Sequence, residues 1–507
     1  MPTTCLDLVN RGAKHYPDRT AIVYEDQSFT FKEVDQLSSQ LAHALHAVGA
    51  SQGDRVALLL NNGPCSVQLD FACVKAGLNR VPLNARLSVQ EHARMLKETG
   101  AQRIVFGADL ADHALALVQA LPGLKCHGLD SDIASVDDLM VTAQSQPASA
   151  PEITVNDDDV ILTLFTSGTT GTLKAAQHTQ ASYASICRNV LMNLVNVEHD
   201  DAMLHAASLI HASGVFVLPF WLRGAKTVIM KAFDPTAFLQ LITRERITAI
   251  NMVPTMLQML LGHPDFEKTD VSSLKQVIYG ASPMPRPVIE KAMALWGRER
   301  FWQYYGQTEC PLTITVLRPE DHEGELLGSC GKPCADVELR LIDEAGDDVP
   351  HGEPGEIAVR APSMMKAYYN ADQLNAEMFT EDGWLRTRDV AVMDERGFLH
   401  MKDRTSDMII TGGYNVYPRE VEDVLMEHPA VAECSVVGTK DEKWVEAITA
   451  AIAVKPGQEV SEAELIDFVS ERLASYKKPQ KVVFVDSVPK TAVGKLNRKA
   501  LRDMLAG

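Results

Sequence analysis

Short apolar runs that alternate with helix-like stretches constrain this chain more than any other feature. Runs at 56–60, 81–83 and 104–106 are separated by stretches of helical character. The alternation returns between 204 and 309, with strand-like runs at 227–230, 249–253 and 277–279 and a helix-like segment at 235–246. Runs this short, bounded by helices, belong in sheets joined by crossover helices, so both parts read as α/β layers. Ahead of them, 20–24 and 28–31 flank Glu25-Asp26-Gln27, which suits a hairpin. Thr30 and Glu33 then have capping-box spacing before a helix expected to end near Gly49.

The texture changes twice further on. The segment 144–159, with two prolines and three consecutive aspartates, reads as a surface connection into a strand at 160–165. Beyond Gly328 come short β-rich pieces at 337–341 and 356–359, which predict a small barrel-like or distorted sheet. After Arg404 a separate α+β unit is expected, with helices at 418–427 and 462–473 and strands at 432–438 and 449–454.

A chain of 507 residues exceeds what one hydrophobic core organises, so at least two domains are expected. A net charge of −19 argues against general affinity for nucleic acid or anionic membrane, and polyanionic ligands must be met by local cations. The nine cysteines are scattered, and the close pair Cys330 and Cys334 lacks zinc-site spacing; reduced thiols in a cytoplasmic protein are the expectation. No signal peptide or membrane span is read in the sequence.

Four loops carry residues suited to chemistry. Thr166-Ser167-Gly168-Thr169-Thr170-Gly171-Thr172-Leu173-Lys174 directly follows an apolar strand and joins hydroxyls, permissive glycines and one cation, as a phosphate-wrapping loop requires. Two residues separate Gly171 from Lys174, which disfavours a Walker loop. The segment 303–309 offers aromatic faces, the Thr308 hydroxyl and the Glu309 carboxylate, suited to adenine stacking, phosphate contact and Mg²⁺ ligation. The segment 383–389 with Lys402-Asp403-Arg404 offers an acid able to accept two ribose hydroxyls and an arginine for phosphate. The fourth, 489–498, presents two lysines as movable charges. Taken singly, packing tyrosines, a solvated hairpin and a basic tail explain the last three segments as well, whereas in the first the phosphate reading prevails over a flexible linker.

Taken together and in this order, they resemble the adenylate-forming superfamily of acyl-CoA synthetases, peptide-synthetase adenylation domains and firefly luciferase, over nearly the whole chain. The resemblance implies an α/β N-terminal domain at 1–404, with two layered α/β sheets plus a small β-barrel. It also implies a smaller, mobile α+β C-terminal domain at 405–507 that carries the catalytic lysine. By matching positions, Thr166, Ser167, Gly168, Thr169, Thr170, Gly171 and Lys174 hold the terminal phosphates, and Gly280, Ala281, Ser282 and Tyr305 form the adenine pocket. Thr308 and Glu309 serve the α-phosphate and Mg²⁺. Asp389 takes the ribose, Arg404 lies near ribose and phosphate, Lys495 serves adenylation, and His211 lines the acyl tunnel. The loop of Gly412, Gly413 and Tyr414 enters for the second half-reaction.

The implied activity is ATP-dependent conversion of a carboxylic acid to acyl-AMP, then transfer to coenzyme A, with ATP, Mg²⁺ and CoA as cofactors or co-substrates; a homodimer is compatible with it. Val215, Phe216 and Trp221 in the expected pocket region point to a hydrophobic acid, fatty or aromatic. Transfer to an amine or carrier-protein thiol uses the same motifs. An oxygen-dependent luciferase-like reaction and a catalytically decayed sensor have less support. The sequence departs from the family pattern at Leu173 and Ala175 beside Lys174, at Ser406 in the hinge, and at Leu209-Ile210 ahead of His211.

Overall fold

The computed structural model describes residues 3–166, 174–411, 414–441, 444–491 and 495–506. Thr30 caps its helix as its spacing predicts: its hydroxyl accepts from Glu33 N at 3.2 Å, and Glu33 Oε2 accepts from Thr30 N at 2.7 Å. The helix therefore starts at Phe31, a residue whose apolar side chain the sequence pattern alone places in the preceding strand. Phe31 is fully buried and stacks on Trp221, with ring centroids 4.5 Å apart.

Two large sheets carry the body. One has nine strands, and its centre is the parallel set Phe301–Gln307, Gln276–Gly280, Ala249–Met252, Ala202–His205, Lys226–Ile229 and Thr20–Tyr24. The other has eight strands, centred on the parallel strands Val160–Thr166, Asn79–Leu83, Arg55–Leu59, Arg103–Gly107 and Lys125–Leu129. Strands such as Gln276–Gly280 are buried throughout, as a parallel sheet covered on both faces demands. Lys174–Thr179 adds antiparallel to Val160–Thr166 with Thr166 opposite Lys174.

The β-rich segment forms a four-stranded antiparallel sheet in the order Glu338–Ile342, Gly355–Arg360, Leu385–Met393, Leu399–Arg404. Register shifts at Glu356/Ala358 and Val390/Ala391 bend it. Of the two forms expected there, it is the distorted sheet. The strands after Arg404 make a separate sheet around Val431–Asp441 and Val445–Val454, covered by the helices Pro418–Met426 and Glu462–Ser470. No helix among the described residues is long and apolar enough to cross a membrane.

Candidate active site

The Thr308-Glu309 pair forms the tip of a hairpin. Gln307 pairs with Cys310 across antiparallel strands, which leaves only these two residues in the turn. A register shift between Tyr305 and Gln307 lies beside Gly306, where a Cβ would come within 2.6 Å of Leu312 N. Glycine there lets the strands close, and Leu312 adopts φ 58° to complete the kink. The backbone carbonyl of Thr308 is bonded to His178 Nε2 at 2.8 Å. Burial pushes the His178 imidazole down to about 4, so the ring is neutral and Nε2–H is the donor.

Glu309 is buried, and Tyr368 donates its phenolic hydrogen to Glu309 Oε1. Burial and then the Glu309 charge hold the Tyr368 hydroxyl protonated. Lys174 Nζ lies 5.7 Å from the centre of the same ring, so Tyr368 links the lysine of the phosphate loop to the carboxylate. Sequence alone offers little signal for Tyr368, whose two-residue strand Ala367–Tyr368 pairs with the strand that Lys174 begins.

Asp389 gathers the second group. Its Oδ2 accepts from Tyr305 Oη at 2.6 Å and from Gln307 Nε2 at 3.2 Å, and its Oδ1 accepts from Arg404 Nε at 3.2 Å. Asp389 and Arg404 are direct cross-strand partners. The Asp389 charge raises the Arg404 pKa, and burial together with Asp389 holds Tyr305 protonated. Gly280 closes its strand where a Cβ would sit 2.5 Å from the Tyr304 carbonyl oxygen. Ala281 follows with φ 65°, turning the chain toward Ser282; both are partly exposed.

Lys495 reaches this cluster from the far end of the chain. Burial lowers its pKa first and the Arg404 charge second, while Asp389 and Glu309 act in the opposite sense. Thr491 N donates to Lys495 O at 2.7 Å. His211 caps the short helix Ala212–Val215; burial and then Lys495 push its imidazole to about 4, and its Nε2 has no hydrogen-bond partner among the described residues. Gly214 holds that turn tight, since a Cβ would fall 1.8 Å from the Leu209 carbonyl oxygen.

The structure thus brings Lys174, Thr308, Glu309, Tyr305, Asp389, Arg404, Lys495 and His211 into one region, with Gly280 on the strand beside Tyr304. Ser167, Gly168, Thr169, Thr170, Gly171, Gly412 and Gly413 lie outside the described residues. Trp221 is a correction: its ring packs on Phe31 and Phe71, and Nε1 donates to Val9 O at 2.8 Å, so it secures the N-terminal helix Cys5–His15 and does not line an acyl pocket. Phe216 packs instead with Tyr304 and Ile314 in the core between the layers.

Glu309 is the carboxylate placed to meet a divalent cation. Its carboxylate is buried and forms no salt bridge with a described lysine, arginine or histidine, and its second oxygen is not engaged by Tyr368. No cluster of three or more His, Cys, Asp or Glu among the described residues could cage a metal. One carboxylate, with phosphate oxygens and water completing the shell, suits Mg²⁺ delivered with a nucleotide.

These features define an adenine-nucleotide enzyme built from a large α/β body and a smaller terminal unit. Residues 9–369 match the family model of the AMP-binding enzyme, and 420–495 match that of the AMP-binding enzyme C-terminal domain; the chain belongs to this family. It is 36% identical over 499 residues to a feruloyl-CoA synthase of an Amycolatopsis species, covering 97% of each chain. It is 36% identical over 516 residues to the medium/long-chain-fatty-acid–CoA ligase FadD8 of Mycobacterium tuberculosis, covering 99% of this chain and 90% of that one. Among solved structures, the amide bond synthetase McbA from Marinactinospora thermotolerans superposes with a TM-score of 0.91 at 29% identity, covering 99% of both chains.

Proposed function

We propose that this protein activates a hydrophobic carboxylic acid, aromatic or fatty, with ATP and Mg²⁺ to an acyl-adenylate, then transfers the acyl group to coenzyme A. What supports the reading is that Lys495, near the end of the chain, lies close enough to Arg404, Asp389 and Glu309 to feel their charges. Two cations and two carboxylates leave the cluster near neutrality, so a polyphosphate entering it raises the charge of every step and must be balanced locally.

A substrate carboxylate approaching the α-phosphate is an anion meeting an anion. Lys495 supplies positive charge where the transition state crowds oxygens together. Arg404 and Asp389 orient the nucleotide through phosphate and ribose, and Tyr305 and Gln307 fix the Asp389 carboxylate for that task. Glu309 and the phosphates would hold Mg²⁺, which neutralises phosphate charge when bound. His211 stays uncharged at working pH, so it lines the acid's path without competing as an ion-pair partner. In the second half-reaction the thiol attacks the acyl carbonyl, AMP leaves with the bonding electrons, and the unit at 405–507 turns about Ser406, withdrawing Lys495 and admitting the loop at 412–414.

A second reading keeps adenylation and changes the acceptor to an amine; the likeness to an amide bond synthetase over the whole chain favours it. All nine cysteines are free, which suits a reducing compartment, and we assign the enzyme to the cytoplasm. Mixing the protein with Mg²⁺-ATP and a panel of acids, with and without CoA, and following AMP, pyrophosphate and acyl-CoA by mass spectrometry tests the proposal. Acid-dependent acyl-CoA with AMP is expected; adenylate without thioester would transfer the assignment to the amine-accepting reading.

A further inference from the structure

A row of buried polar side chains runs across the carboxyl ends of the parallel strands in the nine-stranded sheet, and no step above uses it. His205 ends the strand Ala202–His205, is completely buried, and places Nδ1 3.0 Å from Ser213 Oγ. Its Nε2 is buried and has no hydrogen-bond partner among the described residues. The register Met203 to Ala249 and Leu204 to Ile250, carried one step further, sets His205 beside Asn251, also buried. On the far side, Tyr304 lies opposite Gly280, where a Cβ would be 2.9 Å from Cε1 and Cε2 of the ring; the missing side chain lets the ring lie across that strand. Asn251 donates from Nδ2 to the Ile278 carbonyl oxygen at 3.5 Å, and its amide counters the upward push of burial on the Tyr304 hydroxyl.

Three observations point this row toward a ligand. Carboxyl ends of parallel strands are where open α/β sheets bind small molecules. Ser213, which holds His205, stands two residues beyond His211 on the same short helix, so the row continues from the region that His211 and Lys495 share. The same face is otherwise apolar, with Met203, Ala249, Ile278 and Phe216 in one core cluster, so an unmatched ring nitrogen there is costly unless a partner arrives. Burial pushes His205 to about 4, so the ring is neutral, with one donor and one acceptor nitrogen. Ser213 engages Nδ1 in either tautomer, and a hydroxyl, which can donate or accept, matches Nε2 in both.

We propose that His205, seated by Ser213 and flanked by Asn251 and Tyr304, is a specificity-determining residue at the distal end of the acyl pocket, and that it recognises a hydroxyl carried by the acid remote from its carboxylate. This rests on the acid-activating function proposed above and narrows it to hydroxylated acids.

The test uses the full chain with Mg²⁺-ATP, CoA and matched pairs: para-hydroxybenzoate with benzoate, para-hydroxycinnamate with cinnamate, and omega-hydroxydecanoate with decanoate. Values of kcat/KM for acyl-CoA formation are compared within each pair. At least one hydroxylated member should be preferred by about tenfold or more, as expected for a buried hydrogen bond made or lost. His205→Leu should reduce that preference by a similar factor, and His205→Gln should restore part of it. A packing role alone would lower both members of a pair together and leave their ratio unchanged, which overturns the inference. Should His205→Leu fail to fold, Ser213→Ala reads the same ratio, since it unseats Nδ1. Plain acids used as well as hydroxylated ones would sink this inference and leave the ligase reading standing, whereas no adenylate from any acid would remove both.

Discussion

Tyr368 donates its phenolic hydrogen to Oε1 of Glu309, and both groups are buried. The contact fixes the plane of a carboxylate that forms no salt bridge among the described residues, and it leaves the second oxygen for a cation. Partners that orient metal ligands contribute substantially to metal affinity even without touching the ion. Tyr368→Phe should therefore raise the Mg²⁺ concentration for half-maximal adenylation by about tenfold. Glu309→Gln should raise it further. Titrating Mg²⁺ at saturating ATP in a pyrophosphate-release assay checks both; an unchanged Mg²⁺ dependence in Tyr368→Phe would show that the tyrosine does not orient the carboxylate.

Lys495 enters the cluster with its charge already disfavoured by burial and by Arg404. Replacing it with alanine removes a cation, and losses of about 10²–10³ in kcat follow from removing one such stabilising group. The loss should fall on adenylation alone, while a synthetic acyl-adenylate still yields acyl-CoA. The pH dependence has a definite sign. A lysine whose pKa is lowered loses its proton below the ordinary lysine range, so kcat/KM for adenylation should fall on the alkaline side sooner than a free lysine would predict. The thioester-forming step should lack that limb. Equal loss of both half-reactions in Lys495→Ala would contradict the assigned role.

Much of this site was legible from local motifs because its residues lie on short, chemically distinctive loops. Gly306-Gln307-Thr308-Glu309 announces a tight turn bearing a hydroxyl and a carboxylate, and the hairpin has that form. The α/β alternation was legible for the same reason: runs such as 277–279 have no second conformation that would bury them as well. Tyr368 was not legible, because its partner Glu309 is 59 residues away and its own strand is two residues long. Trp221 misled in the opposite direction. It lies in an apolar run close to His211, but packing decided its direction, and it turned to the N-terminal helix. His205 carries no sequence signal at all, since one histidine ending an apolar strand reads as core until its unmatched nitrogen is seen.

His92 is buried, with Nδ1 2.8 Å from His113 Nε2 and Nε2 3.0 Å from the Asn84 carbonyl oxygen. Burial, then His113, push it to about 4. The unfolded chain protonates a histidine near pH 6.5, whereas the folded chain resists until about 4, so stability falls as pH drops through this window and levels below it. The full effect for one such group is about 3 kcal/mol. His92→Gln retains polar reach without titrating, so its thermal midpoint, measured from pH 7 to 4, should decline less steeply than that of the unmodified protein. Parallel curves would show that His92 protonates equally in both states.

Arg498 straddles the segment about which the terminal unit is proposed to turn. Its Nη1 lies 3.1 Å from Asp403 Oδ1, before Ser406, and 3.3 Å from Asp407 Oδ2, after it, while Nη2 lies 2.6 Å from Glu422 Oε2. Rotation about Ser406 must break the first of these contacts and can carry the other two along. The Asp403 contact therefore favours the arrangement in which Lys495 is inserted, and the Glu422 contact holds the helix Arg498–Ala506 to its own unit in every arrangement. Asp403→Asn should slow adenylation more than thioester formation from a pre-formed adenylate, by several-fold, because two carboxylates still neutralise Arg498. Glu422→Gln strips a buried pair inside the terminal unit, where breaking one partner costs about 3–5 kcal/mol, and should reduce both half-reactions through lost stability. Measuring the two half-reactions separately in both variants, beside their thermal midpoints, distinguishes these roles; equal slowing of both half-reactions in Asp403→Asn would mean that Arg498 serves only the fold.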